Sequence, residues 1–153
     1  MLNYIIDGNN LIGKISSLMN LQKKDKQASR EKLVYILDRY FISKKANVTL
    51  HLDGHPGERV NSTKMKLVYS ENLTADEKIK KQISLSKSPR NIIVVTSDLN
   101  LAQFAKVCSA TVVSSDEFAA GITKSHIGLD EESIIKSIDN VEEFKKLFGV
   151  DND

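Results

Sequence analysis

Short apolar runs, several ending at an aspartate and separated by stretches of helical periodicity, leave this chain few folds to choose from. Leu2-Asn3-Tyr4-Ile5-Ile6 closes on Asp7-Gly8-Asn9-Asn10, and Val48-Thr49-Leu50-His51-Leu52 closes on Asp53-Gly54. Lys66-Leu67-Val68-Tyr69 is shorter, Asn91 to Thr96 is a β-branched run with no charge that meets Ser97-Asp98, and Thr111-Val112-Val113 is a fifth run. Apolar runs of this length bounded by turn residues read as buried strands. Between them, Leu33, Val34, Leu37, Tyr40 and Phe41 recur at helical spacing, so one face of that helix points to the core. Thr74 with Glu77, and Ser114 with Glu117, have capping-box spacing and open two further helices. Ser97-Asp98 caps another, with Leu99, Ala102 and Ala105 directed inward. Strands alternating with helices predict an α/β fold, with a central parallel sheet of about five strands and helices on both faces. The tyrosines and phenylalanines fall mostly at apolar positions and are expected in the core.

The 153 residues suit one domain, and 41% apolar content with a net charge of +2 excludes a disordered chain. No apolar run approaches the roughly 20 residues of a membrane helix, and the first residues lack the basic start of a signal peptide. One cysteine, Cys108, excludes an intramolecular disulfide and a cysteine-rich zinc site, and it is expected as a small core residue. A cytoplasmic location without membrane contact is expected. The net charge hides an imbalance: residues 1–106 carry +8 and residues 107–153 carry −6. A basic body suits a polyanionic partner, although an ordinary solvated surface has similar composition.

Asp7, Asp53 and Asp98 end or follow strands, and Asp76 lies in the first turn of the helix after the third strand. Ligands of open α/β sheets bind beyond the carboxyl ends of the strands, so these four acids face one edge. Each also has a local explanation, Asp76 and Asp98 at helix N-termini and Asp7 and Asp53 in turns before glycine. Converging carboxylates repel, and a hard divalent cation, Mg²⁺ or Mn²⁺, resolves the conflict while recruiting phosphate oxygens. His51 and His55 flank Asp53 but lack a third nitrogen or sulfur partner for zinc.

Tyr4-Ile5-Ile6-Asp7-Gly8-Asn9-Asn10-Leu11-Ile12-Gly13, Thr74-Ala75-Asp76 and Val94-Val95-Thr96-Ser97-Asp98 together resemble the YacP-like branch of the NYN ribonucleases, in the PIN-like nuclease superfamily. The resemblance runs over residues 2–120. It implies a single PIN-like domain over 1–120, with 121–153 as a helical extension packed on it. It further implies a metal-dependent endoribonuclease acting on single-stranded RNA, with mRNA as the expected partner and the ribosome as a candidate setting. Asp7, Asp76 and Asp98 would form the acidic centre, Asn10 would stand beside them, and Asp53 would add a further metal oxygen. Arg30 matches a basic position before the second family helix and is expected to contact phosphate. Two departures stand out: Asn9 replaces the usual aromatic residue, and Gly54 replaces alanine.

The remaining RNA-binding candidates are Lys23, Lys24 and Lys26, together with Lys78 and Lys81, which share a helical face while Lys80 points elsewhere. A haloacid-dehalogenase-like phosphatase also carries an aspartate after its first strand, but it needs a second acid where this chain has Asn9. A catalytically lapsed RNA- or ribosome-binding module is the non-enzymatic alternative.

Overall fold

The computed structural model describes residues 1–57 and 60–124. The helical patterns Ile134-Ile135-Ile138 and Phe144-Leu147-Phe148 and the expected extension beyond 124 therefore lie outside the described residues. Among the described residues, each pair of successive strands is joined by a connection long enough to cross back over the sheet, and all ladders are parallel. The five strands β1 (Leu2–Asp7), β2 (Ala46–Leu52), β3 (Lys66–Tyr69), β4 (Ile92–Val95) and β5 (Thr111–Val113) stand in the order β3-β2-β1-β4-β5. The chain thus begins at the centre, winds outward to β3, then returns to the other side of β1 as β4. The order reverses between β1 and β4, and in doubly wound sheets that switch point opens the ligand crevice.

Helices α1 (Gly8–Ile12), α2 (Ser16–Lys24) and α3 (Lys26–Phe41) precede β2. Helix α4 (Ala75–Leu85) and a 3₁₀ turn (Pro89–Asn91) precede β4, α5 (Leu99–Val107) precedes β5, and α6 spans 115–124. Register assigns the faces. Ile6 pairs with Leu50 and Val95, and these pack with Leu11, Leu18, Leu33, Leu37, Phe41 and Phe118 from α1, α2, α3 and α6. Ile5 pairs with Val94, and both pack with Ile79, Ile83, Leu101 and Ala105 from α4 and α5 on the opposite face. Two separate apolar clusters sandwich the sheet, in keeping with strands buried on both faces.

Helix α3 starts at Lys26, seven residues before Leu33 opens its apolar repeat, because Asp25 accepts a hydrogen bond from the Ala28 N–H at 3.0 Å and stops α2. Both halves of the Thr74–Glu77 capping box are formed, with Glu77 N–H to Thr74 Oγ1 and Thr74 N–H to Glu77 Oε1. In α5 the buried stripe is Leu101 and Ala105, flanked by Phe104 and Cys108. Leu99, expected inward, is 85% exposed, because it is the first residue of the helix and lies off the stripe of Leu101 and Ala105. Tyr35 is likewise exposed rather than core, whereas Tyr4 and Tyr40 pack edge-on to Phe41, each with ring centroids 4.9 Å apart.

Gly8 is where β1 turns into α1 against β2, and a Cβ there would stand 2.6 Å from the His51 carbonyl oxygen and 2.8 Å from a Leu52 methyl. Backbone cannot yield as a side chain would. Gly8→Ala is expected to cost about 1–3 kcal/mol of unfolding free energy, as overpacking in close-packed interiors does. Urea denaturation measures it; an unchanged midpoint would show that α1 can lift from β2.

Candidate active site

Asp7 ends the central strand, on the sheet face that carries α4 and α5, and is 9% exposed. Its Oδ2 accepts from the Thr96 hydroxyl at 3.1 Å, and Thr96 Oγ1 in turn accepts the Asp98 N–H at 3.1 Å. Burial pushes the Asp7 carboxyl up from 3.8 to about 6. The Thr96 hydroxyl opposes that rise, the Asp53 charge adds to it, the Asn10 backbone N–H opposes it more weakly, and the Asp98 charge adds least. Asp7 therefore feels the charges of both Asp53 and Asp98 across the switch point.

Asp98 is exposed and caps α5, its Oδ1 accepting the Leu101 N–H at 3.1 Å. Asp53 lies in the turn after β2. Its backbone N–H donates to Asn9 Oδ1 at 3.0 Å, and its own Oδ1 accepts from the Ala75 N–H at 3.1 Å, tying the turn to the start of α4. Asp76 sits in the first turn of α4, bound through Oδ2 to Lys80 Nζ at 3.1 Å, while its Oδ1 is buried with no hydrogen-bond partner in the structure. Asn10 is a junction: its Oδ1 accepts from the Ser97 N–H at 2.9 Å and from the Ser115 hydroxyl at 2.6 Å, joining the ends of β1, β4 and β5.

The structure also brings in Asp116, which sequence reasoning missed. Its Oδ1 accepts from the Ser97 hydroxyl at 2.7 Å and lies 3.6 Å from Lys14 Nζ, and these contacts hold its carboxyl below the usual range. The available signal was the Ser114–Glu117 capping box, which places Asp116 in the first turn after β5, as Thr74–Glu77 places Asp76 after β3.

Among the described residues, no three His, Cys, Asp or Glu side chains lie close enough to form a ready-made metal cage. His51 is buried against α4, with Nε2 2.7 Å from Gln82 Oε1, and burial lowers its pKa. The acidic edge thus offers oxygen donors: an elevated Asp7 with two acidic neighbours, and an orphaned buried oxygen on Asp76. That donor set fits a hard divalent cation that keeps several of its waters and reaches some of these carboxylates through them.

The basic candidates divide. Arg30 is 4% exposed, and its guanidinium bonds the carbonyls of Asp53 and His55 and lies over the Tyr69 ring. Lys78 donates to the Tyr69 carbonyl at 2.8 Å. Lys23, Lys24, Lys26 and Lys81 are exposed.

The model of the YacP-like NYN domain matches residues 4–147, most of the chain. The chain belongs to the YacP-like NYN domain family. Among solved structures, Rae1 (YacP) from Bacillus subtilis is similar at 22% identity and a TM-score of 0.68, over 97% of this chain and 93% of that one. A mutant form of Rae1 matches at 24% identity and a TM-score of 0.71, over 94% and 89% of the two chains. At that identity the likeness establishes the shared fold. No curated protein sequence matches the chain. Membership of the NYN family makes this a PIN-like, nuclease-type domain, and Asp7, Asp53 and Asp98 stand at or just beyond the carboxyl ends of β1, β2 and β4.

Proposed function

We propose that this YacP-like NYN domain is a metal-dependent endoribonuclease that hydrolyses phosphodiester bonds in single-stranded RNA, mRNA in particular. The observation that carries the reading is the Asp7 carboxyl, buried at the switch point and raised to about 6 with Asp53 and Asp98 contributing. Strongly perturbed acids in a crevice mark functional sites more often than structural ones. Asp7, Asp98 and Asp53 would hold Mg²⁺ or Mn²⁺, with Asp76 reaching it directly or through water. A bound divalent cation supplies an activated water and stabilises charge on the phosphate.

The protein's own groups do the rest. The Thr96 hydroxyl ties one Asp7 oxygen to the Asp98 backbone N–H, which fixes the end of β1 against the start of α5. Asn10, by joining the turns after β1, β4 and β5, sets the floor of the crevice rather than reacting itself. A crevice this acidic repels RNA, so affinity must come from cations at its rim, for which Lys23, Lys24, Lys26 and Lys81 are exposed. Flexible single strands suit the site because a scissile phosphate must descend to the strand ends.

The test is incubation of purified protein with a defined single-stranded RNA, with Mg²⁺ and with a chelator. Cleavage is expected with Mg²⁺ only. RNA that is bound but never cut would make this a binding module, the alternative reading. Titrating an uncleaving Asp98→Asn variant with RNA over a range of salt isolates binding. The affinity is expected to fall steeply, with a log–log slope of several phosphate contacts. A slope near zero would remove the lysine rim from the account.

A further inference from the structure

Arg30 lies one turn into α3 on the same stripe as Leu33, Val34 and Leu37, and it is as buried as they are. Burying a guanidinium is costly unless its donors are met, and among the described residues it makes no ion pair. Two of its nitrogens donate instead to the turn after β2, Nη2 to the Asp53 carbonyl and Nη1 to the His55 carbonyl at 3.2 Å, while Nε is buried with no hydrogen-bond partner among the described residues. The Tyr69 ring centroid lies 5.3 Å from the guanidinium carbon. Asn9, in α1, holds the same turn at the Asp53 N–H. Gly54, at φ +89°, completes it, donating its N–H to Ser70 Oγ at 2.8 Å and accepting the Glu71 N–H at 2.8 Å.

The N–H, the carbonyl and one carboxylate oxygen of Asp53 are therefore all engaged. Only Oδ2 has no hydrogen-bond partner among the described residues, and Asp53 is the neighbour whose charge raises Asp7 most. A turn fastened at this many points serves to hold one oxygen still.

We propose that Arg30 and Asn9 are positioning residues that clamp the turn from two sides and present the free Asp53 oxygen as a metal ligand. Arg30 on this account makes no contact with RNA phosphate, and position 9 serves geometry rather than base stacking. The inference rests on the metal-centre reading above. Lysine at position 30 keeps the charge but loses the fork that spans two carbonyls.

The experiment compares wild type with Arg30→Lys and Asn9→Ala, the second standing in if the first does not fold. Mn²⁺ affinity of the RNA-free protein, followed by electron paramagnetic resonance, is expected to weaken about 10- to 100-fold in each, the usual effect of removing a group that orients a metal ligand. RNA affinity in chelator is expected to stay at the wild-type value. Unchanged Mn²⁺ affinity in both variants overturns the inference, as does an Arg30→Lys variant that loses RNA binding alone, which is the signature of a phosphate contact. A wild type that binds no Mn²⁺ sinks the metal-centre reading and, with it, the ligand role given to Asp53. In that event amide exchange decides the clamp by itself: faster exchange at Asp53 and Gly54 in both variants upholds it, and wild-type exchange overturns it.

Discussion

Replacing Asp7 with asparagine is expected to abolish RNA cleavage and, at the same time, to make the metal-free protein more stable at neutral pH. The two effects have one cause. Asp7 is pushed up from 3.8 to about 6 because the buried, acid-flanked site penalises its charge. Between those values the folded protein keeps a proton that the unfolded chain has released, so stability is greatest below about 4 and declines as pH rises through about 6. Above that range the folded state bears the full penalty. Asparagine keeps the shape and an oxygen to accept from Thr96 but carries no charge. A tenfold difference in proton affinity between the folded and unfolded states is worth about 1.4 kcal/mol, so a gain of about 1–3 kcal/mol near pH 7.5 is expected, shrinking towards zero near pH 4. Urea unfolding at both pH values in chelator measures it. A variant less stable than wild type at neutral pH would show that the carboxylate is satisfied as it stands.

The second large effect is at Asp98, where function and structure separate by choice of substituent. Asparagine caps helices as well as aspartate does, so Asp98→Asn is expected to retain the bond to the Leu101 N–H and unfold as wild type does. Cleavage is nevertheless expected to fall by about a hundredfold or more, since a lost metal ligand costs at least as much as a lost supporting group. Asp98→Ala loses the cap as well and is expected to be about 1 kcal/mol less stable. Single-turnover cleavage beside thermal unfolding separates the two roles. Equal activity of Asp98→Asn and wild type would leave Asp98 as a helix cap only.

Most of the fold was legible in the sequence because it is written in short-range patterns. The runs before Asp7, Asp53 and Asp98 are apolar and end in turn residues, and the Thr74–Glu77 box marks a helix start independently of packing. What escaped were side-chain directions that depend on the third dimension. Arg30 reads as a surface cation by type, yet its spacing of three, four and seven residues to Leu33, Val34 and Leu37 places it on the buried stripe. Asp76 follows a legible cap, but whether its carboxylate meets Lys80 or the crevice depends on helix rotation, and one oxygen does the former. Lys80, whose spacing points it away from Lys78 and Lys81, is the residue that holds Asp76, whereas Lys78 is occupied by the Tyr69 carbonyl. Asn9 reads as a lost aromatic platform; its bond to Asp53 is between residues 44 apart in sequence, beyond any local pattern.

The central claim is that the acids at the end of β1 and β4 form a divalent-metal centre. Anomalous scattering from a crystal soaked in Mn²⁺ tests it most directly. A peak within direct or water-mediated reach of at least two of Asp7, Asp53, Asp76 and Asp98 is the expected result. Manganese bound only at His51 and His55, away from those carboxylates, would contradict it.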